Sequence, residues 1–246
     1  MSWAPPIPAA VMWHDVECGG YTVDLPLWRE LARAATGPVL DVGAGTGRVA
    51  LELARAGHEV TALDRDPLLL AALAERARAA GVAVGTVVAD AAGFDLGVRR
   101  FALVAVAMQT LQLLRGAPAR DGFFASARRA LRPGGLVAVA IAEALEAFDP
   151  TLPLPAPDVG ELDGWRFVSQ PLAMREHGDA VAIERLRELI APDGERTLSE
   201  DEVLLARVTP AGLAAEAAAH GLEAIELRRV PETPEHVGAE VVVLRG

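Results

Sequence analysis

Hydrophobic residues recur in this chain in two rhythms, and the rhythm changes once. From residue 37 to residue 142, short apolar runs alternate with stretches at helical spacing. The runs Val39–Val42, Glu59–Leu63, Ala83–Ala89, Phe101–Val106 and Leu136–Ala142 each predict a strand. Phe101–Val106 is apolar throughout, as a strand covered on both faces would be. Between the runs, Val49, Leu51, Leu53 and Ala54 face the core side of a helix that stops at Gly57. Asp66-Pro67 opens an alanine-rich helix running to Gly81, and a further helix spans Ala119 to Leu131 before the tight turn Arg132-Pro133-Gly134-Gly135. Upstream, residues 1–23 read as irregular, with Trp3 and Trp13. Asp24 is placed to cap a helix with Pro26 in its first turn and Leu27, Leu31 and Ala34 on one face, ended by Gly37-Pro38.

After residue 142 the pattern shifts. Pro150, Pro153, Pro155 and Pro157 make Phe148–Gly160 a stiff extended connection. Alternating stretches then predict three antiparallel strands: Trp165–Val168, Ala180–Ile190 and Glu202–Val208, with hairpin turns at Gly178-Asp179 and Asp193-Gly194. In the middle one Ile183, Leu186, Leu189 and Ile190 fit helical spacing as well. Thr209-Pro210 caps a helix to His220, and Glu223–Val230 and Glu240–Leu244 close the chain as strands. Strand-helix repetition with short connections is the βαβ pattern. The expected fold is therefore α/β: a Rossmann-like, doubly wound, seven-stranded sheet with an inserted small antiparallel β lobe. Residues 1–36 form an N-terminal cover and helix, 37–149 and 209–246 the sheet domain, and 150–208 the lobe. The lobe and the N-terminal cover are expected to close over the active site and set substrate choice.

Composition narrows the class. The chain has 246 residues, 52% of them hydrophobic, enough for a sizeable core and against disorder. Its formal net charge of −11 argues against nucleic acid and anionic membranes as partners. Cys18 is the single cysteine, which excludes an internal disulfide and fits a reducing, cytoplasmic setting; its packing is the simpler reading than nucleophilic chemistry. Met1–Val16 has early prolines and no charged leader before a long apolar run, so neither a signal peptide nor a membrane helix is expected there. Pairing of lobe strands across a homodimer stays open.

Candidate chemistry collects at the predicted strand ends, where open parallel sheets bind ligands. Four features fall there: the turn Gly43-Ala44-Gly45-Thr46-Gly47, Asp64, Asp90 and Met108-Gln109. A dinucleotide fingerprint needs Gly-x-Gly-x-x-Gly, but its third glycine position holds Arg48, and no Gly-Lys-Ser/Thr phosphate loop occurs. Asp64 ends the second strand, 23 residues after Asp41, where a carboxylate accepts hydrogen bonds from both ribose hydroxyls. These features indicate a nucleoside without specifying phosphates.

Val39-Leu40-Asp41-Val42-Gly43-Ala44-Gly45-Thr46-Gly47 resembles the first motif of class I S-adenosylmethionine-dependent methyltransferases of the small-molecule type. The resemblance continues through Asp64, Val87-Val88-Ala89-Asp90-Ala91 and Leu131-Arg132-Pro133-Gly134-Gly135-Leu136, covering roughly residues 37–142. It implies S-adenosylmethionine as cofactor, S-adenosylhomocysteine as product, no metal, and a small-molecule methyl acceptor. It also implies that Gly43 and Gly45 admit the methionine portion, and that Asp41 supports the turn and the methionyl ammonium. Asp64 would hold the ribose, with Arg65 near the adenine; Asp90 would accept from the adenine amino group and the Ala91 N–H reach a ring nitrogen. Met108 and Gln109 would line the methyl-transfer centre, and Tyr21 would close over the cofactor. The chain departs from amino-methylating nucleic-acid enzymes in having Met-Gln-Thr rather than Asn/Asp-Pro-Pro-Tyr after the fourth strand.

A sulfonium methyl is already electrophilic, so in-line alignment of a nitrogen, oxygen or carbon nucleophile is the main task, contributing about 7–11 kcal/mol. Oxygen or carbon nucleophiles can also require a base. His14 is the candidate base with Gln109 beside the reacting centre; His177, Glu17 and Tyr21 are further candidates. Arg166, Arg185 and Arg187 on the lobe either bind an acidic substrate or form a solvated strand face. Two other readings stand beside catalysis: a cofactor-binding protein of the same fold without chemistry, and a nucleotide-dependent oxidoreductase, which Arg48 disfavours.

Overall fold

The computed structural model describes residues 5, 7–142, 145–149, 151, 153–233 and 236–246. Trp3 and Pro150 lie outside the described residues. In chain order the elements are α1 (Ala9–His14), a π-helical turn (Asp15–Gly19), α2 (Leu25–Ala35), β1 (Val39–Val42), α3 (Arg48–Arg55), β2 (Val60–Asp64), α4 (Pro67–Ala79), β3 (Val84–Val88) and β4 (Phe101–Val106). A 3₁₀ turn (Thr110–Leu113), α5 (Ala117–Ala130) and β5 (Leu131–Ile141) follow. Then come β6 (Asp158–Leu162), β7 (Trp165–His177), β8 (Ala180–Ile190), β9 (Arg196–Ala206), α6 (Pro210–Ala218), β10 (Glu223–Val230) and β11 (Ala239–Arg245). The chain divides into two compact units, one of Met1–Thr22 with Leu145–Leu205 and one of Val23–Ala144 with Ala206–Gly246.

The larger unit is a seven-stranded sheet in the order β10-β11-β5-β4-β1-β2-β3. β3, β2, β1, β4 and β5 run parallel, and β11 runs antiparallel between β5 and the edge strand β10. Strand order reverses between β1 and β4, so the ligand-binding crevice of this topology opens at their carboxyl ends. Leu40 and Val42 join Val104, Val106, Val137 and Val139 in one core with Phe123 and Phe124 of α5 and Leu213 of α6. Alternation along β1 turns Asp41 to the other face of the sheet. Helix starts follow local chemistry. Asp66 accepts from the Leu68 N–H at 2.8 Å and Thr209 from the Gly212 N–H at 3.1 Å, each ahead of a proline at the helix start. Asp24 behaves differently. It precedes α2 but makes no side-chain cap, because its carboxylate is committed to Trp28 and Arg48.

The Arg132–Gly135 turn is a bulged start to β5 rather than a separate loop. Phe101 pairs with Leu131 before the register shifts, and the Gly134 N–H donates to the carbonyl of Gly246 at 2.6 Å.

The smaller unit is a four-stranded antiparallel sheet, β6-β7-β8-β9, under the N-terminal segment. It has one strand more than the sequence pattern predicts. β6 begins inside the stretch read as an extended connection and reaches β7 through Asp163-Gly164, both with positive φ (+49° and +80°), the backbone of a type I′ hairpin. Residues 180–190 form a strand paired with β7 along its whole length, from Arg166 opposite Ile190 to His177 opposite Ala180, so the helical alternative is excluded.

Met12, Trp165, Phe167 and Ala191 make this unit's core, and Trp13 meets Phe167 edge-to-face at 5.4 Å. Gly160 has no side chain where Val16 packs: a Cβ would lie 2.6 Å from its Cγ2. Glu17 is the polar centre. It accepts from Ser169 Oγ and from Arg187 Nε and Nη2, all at 2.8 Å, with Arg185 Nη1 at 3.4 Å. Burial pushes the Glu17 carboxyl up, but the Arg187 fork, Arg185 and Ser169 together hold it below the usual range. Arg187 also reaches Asp201 at 2.7 Å and stacks over Trp13. Arg185 and Arg187 are therefore not on a freely solvated strand face.

Candidate cofactor-binding and active site

The crevice is built from the first strand outward. β1 is central and its four residues are buried, so Asp41 is enclosed at 1% exposure. One face of its carboxyl accepts the backbone N–H of Ala50 in α3, while Oδ2 is buried with no hydrogen-bond partner. Burial raises its pKa from 3.8 to about 7, against the pull of Arg48 and the Ala50 N–H and with the added push of Asp64 and Asp24. An orphaned carboxylate oxygen at a strand end is costly to keep without a ligand's donor.

The chain then turns on Gly43 (φ +71°), Gly45 (φ +54°) and Gly47 (φ +98°), conformations that side chains rarely adopt. The Leu63 carbonyl accepts from the N–H groups of Gly43 and Ala44, at 2.8 and 3.0 Å. Asp64 completes the turn: Oδ2 accepts from the Gly45 N–H at 2.8 Å and Oδ1 from the Asp66 N–H at 3.0 Å. Each oxygen so held keeps a further lone pair for a ligand hydroxyl. Arg65, next in sequence, is exposed.

β3 ends beside this. The Ala89 N–H donates to the Asp64 carbonyl at 3.0 Å. Asp90 is exposed and its Oδ1 accepts from the Ala92 N–H at 2.8 Å, so it orders its own turn; Ala91 packs against the core. After β4, Met108 is held at φ +52°, a strained conformation for a long side chain, and Gln109 caps the 3₁₀ turn. Met108 and Gln109 are both half-buried.

The structure thus brings Asp41, Gly43, Gly45 and Asp64 into one connected turn and puts Asp90, Ala91, Met108 and Gln109 at the neighbouring strand ends. His14 and Tyr21 belong to the smaller unit, where Tyr21 is buried and His14 ends α1.

Sequence reasoning passes over three residues here. Thr110 packs on the glycine turn so closely that a Cβ on Gly43 would lie 2.3 Å from its Cγ2. Gln112, fully buried, donates Nε2 to the carbonyls of Ala142 (3.0 Å) and Ala206 (3.2 Å) and accepts from the Ala142 N–H (2.9 Å). Its signal was a lone amide among Leu111, Leu113 and Leu114. Arg48, weighed only as a missing glycine, forks onto Asp24 at 2.5 and 2.9 Å in a buried ion pair.

This donor and acceptor set fits S-adenosylmethionine. Asp41 Oδ2, which has no partner, would accept from a cationic donor, and the anchored Asp64 carboxylate suits a ribose diol. Bound there, the cofactor supplies an electrophilic sulfonium methyl group.

Residues 39–135 match a family model described as a methyltransferase domain. No curated protein sequence matches the chain. Among solved structures, the CcbJ methyltransferase from Streptomyces caelestis is 26% identical over 93% of this chain and 97% of that one, with a TM-score of 0.65. The glycopeptide N-methyltransferase MtfA, solved with S-adenosyl-L-homocysteine, is 25% identical, covers 89% of this chain and 86% of that one, and has a TM-score of 0.59. The sugar N-methyltransferase KedS8 from a Streptoalloteichus species shares the fold at 20% identity over 100% and 97% of the two chains, with a TM-score of 0.74. Residues 39–135, which hold the glycine turn, Asp64 and Asp90, are thus those of a methyltransferase domain.

Proposed function

We propose that this chain transfers a methyl group from S-adenosylmethionine to a nitrogen, oxygen or carbon nucleophile of a small molecule, by in-line displacement. The observation that carries the reading is the pair of carboxylates on the glycine turn, one orphaned and one anchored. In this reading Asp41 faces the methionyl ammonium, and Gly43 and Gly45 admit the methionine backbone. Asp64 receives the ribose hydroxyls, Arg65 flanks the adenine, and Asp90 with the Ala91 N–H reads its edge. Met108 and Gln109 form the wall beside the transferred methyl, and the strained backbone of Met108 suits alignment, the main source of rate in such a displacement.

The net charge of −11 supports a neutral or cationic small acceptor over nucleic acid. The sugar and glycopeptide N-methyltransferases among the similar structures support a nitrogen acceptor. A reducing, cytoplasmic setting fits the single cysteine.

The test has two parts. Calorimetry with S-adenosylhomocysteine is expected to show one site per chain, whereas NAD is expected not to bind. Incubation with methyl-labelled S-adenosylmethionine and a panel of small amines and amino sugars is expected to move label to an acceptor. Binding of NAD alone would overturn the reading, and cofactor binding with no labelled acceptor in a broad panel would favour a non-catalytic binding protein.

A further inference from the structure

Arg48 and Asp24 form a charged pair that the cofactor reading leaves unused. Arg48 opens α3, the helix that receives the glycine turn; its side chain is only 9% exposed and that of Asp24 3%. Both guanidinium ends are engaged, Nη1 on Oδ1 at 2.5 Å and Nη2 on Oδ2 at 2.9 Å. Asp24 Oδ2 also accepts from Trp28 Nε1 at 2.8 Å, which fixes the acid against α2. A planar fork of this kind holds its charge in one place, which a lysine would not do.

A buried ion pair is weak evidence for stability, since removing both charges from water offsets much of their attraction. Its position points to another use. Two residues into the same helix, the Ala50 N–H donates to Asp41, the acid with the orphaned oxygen. The charged groups acting on Asp41 are Arg48 from α3, Asp64 from β2 and Asp24 from the residue before α2. Arg48 is the one cation of that set and outweighs either acid.

We propose that Arg48 and Asp24 are positioning residues for cofactor binding, their pair holding one fixed positive charge beside Asp41 so that its carboxylate ionises to receive the cofactor's ammonium group. This rests on the Asp41 contact proposed above. Asp24 has two opposed effects: it anchors Arg48, and its own negative charge opposes ionisation of Asp41. Exchange of either partner therefore moves Asp41 in opposite directions, which a purely structural strut between α2 and α3 would not do.

The experiment is calorimetric titration of the full chain with S-adenosylhomocysteine between pH 5 and pH 8. In the unaltered chain, affinity rises with pH and levels off above about 7, as Asp41 ionises. Arg48→Gln leaves Asp24 uncompensated and moves the midpoint to higher pH by about one unit, roughly a tenfold affinity loss on the rising limb. Asp24→Asn removes the negative charge that opposes ionisation of Asp41 and moves it to lower pH. The double variant lies above the unaltered chain and below Arg48→Gln. 5′-Methylthioadenosine, which lacks the amino-acid portion, binds with no such midpoint in any of the four proteins. Coincident midpoints in all variants, or equal shifts with 5′-methylthioadenosine, overturn the inference. If Arg48→Gln fails to fold, the downward shift of Asp24→Asn decides alone. Absence of S-adenosylhomocysteine binding by the unaltered chain would instead defeat the functional reading.

Discussion

Asp41 and Asp64 show how two carboxylates one strand apart acquire different chemistry. Asp64 has two backbone N–H donors and stays half-exposed, so it is an oriented anion ready for hydroxyl donors. Replacing it with alanine is expected to weaken S-adenosylhomocysteine binding at least tenfold, about 1.4 kcal/mol by calorimetry, with the fold retained; an unchanged dissociation constant would remove it from the ribose role. Asp41 is enclosed, and burial raises its pKa to about 7 in the folded chain from 3.8. Between those values the folded chain holds a proton that the unfolded chain has released. The stability this contributes is full below pH 4 and is lost as pH rises through about 7. Asp41→Asn is expected to flatten that decline, read as the pH dependence of urea midpoints between pH 4 and pH 8. A slope identical to that of the unaltered chain would show that Asp41 does not titrate in this range.

At the scale of elements, the 3₁₀ turn after β4 has more roles than its four residues suggest. Thr110 presses on Gly43, and Gln112 ties the backbone beyond β5, at Ala142, to that of Ala206 at the end of β9. An apolar replacement such as Gln112→Leu leaves the buried Ala142 N–H without its acceptor. A loss of at least about 2 kcal/mol in unfolding free energy is expected by urea denaturation, and a loss under 0.5 kcal/mol, the range typical of surface changes, would mean that backbone relaxation replaces the bonds. Gly43 has a double constraint, a left-handed φ and no room for a Cβ under Thr110, so its glycine is required by backbone and packing together.

At the scale of the whole molecule, the chain distributes its polar interactions by unit. The larger unit has them at the strand ends, as at Asp64, and between its helices, as in Arg48–Asp24 and Arg120–Glu216. The smaller unit keeps them around Glu17, which fastens the N-terminal segment to β7 and β8. Glu17 is held below its usual pKa despite burial, so its contribution is present above the unfolded value of 4.5 and is lost as pH falls through the lower folded one. Glu17→Gln takes the Glu17 charge from the half-buried Arg185 and Arg187, the latter still paired with Asp201, and is expected to cost about 1–3 kcal/mol. Hydrogen exchange should show faster amide exchange across β7 and β8 while β1 and β4 keep their protection; unchanged exchange in β7 and β8 would make the network dispensable. Among the described residues no helix is long and apolar enough to cross a membrane.

The alternation of apolar runs with helical spacing was enough to determine the parallel sheet, because strand and helix periods are local properties of the chain and each βα unit repeats them. The glycine turn and the acids at residues 64 and 90 were legible for the same reason: their positions relative to strand ends follow from a few residues of context. The fourth strand of the lobe was not, since prolines masked β6 and only its pairing with β7 shows it. Nor were the fates of Asp24, Arg48, Gln112 and Glu17. Apart from Trp28 on Asp24, their partners lie 24, 24, 30 to 94 and 152 to 170 residues away. Side-chain partners at such separations are chosen by packing rather than by sequence neighbours. Tertiary structure alone decided which acid of the glycine turn is anchored and which keeps a buried oxygen without a partner, because burial and long-range charge exist only once the strands are side by side.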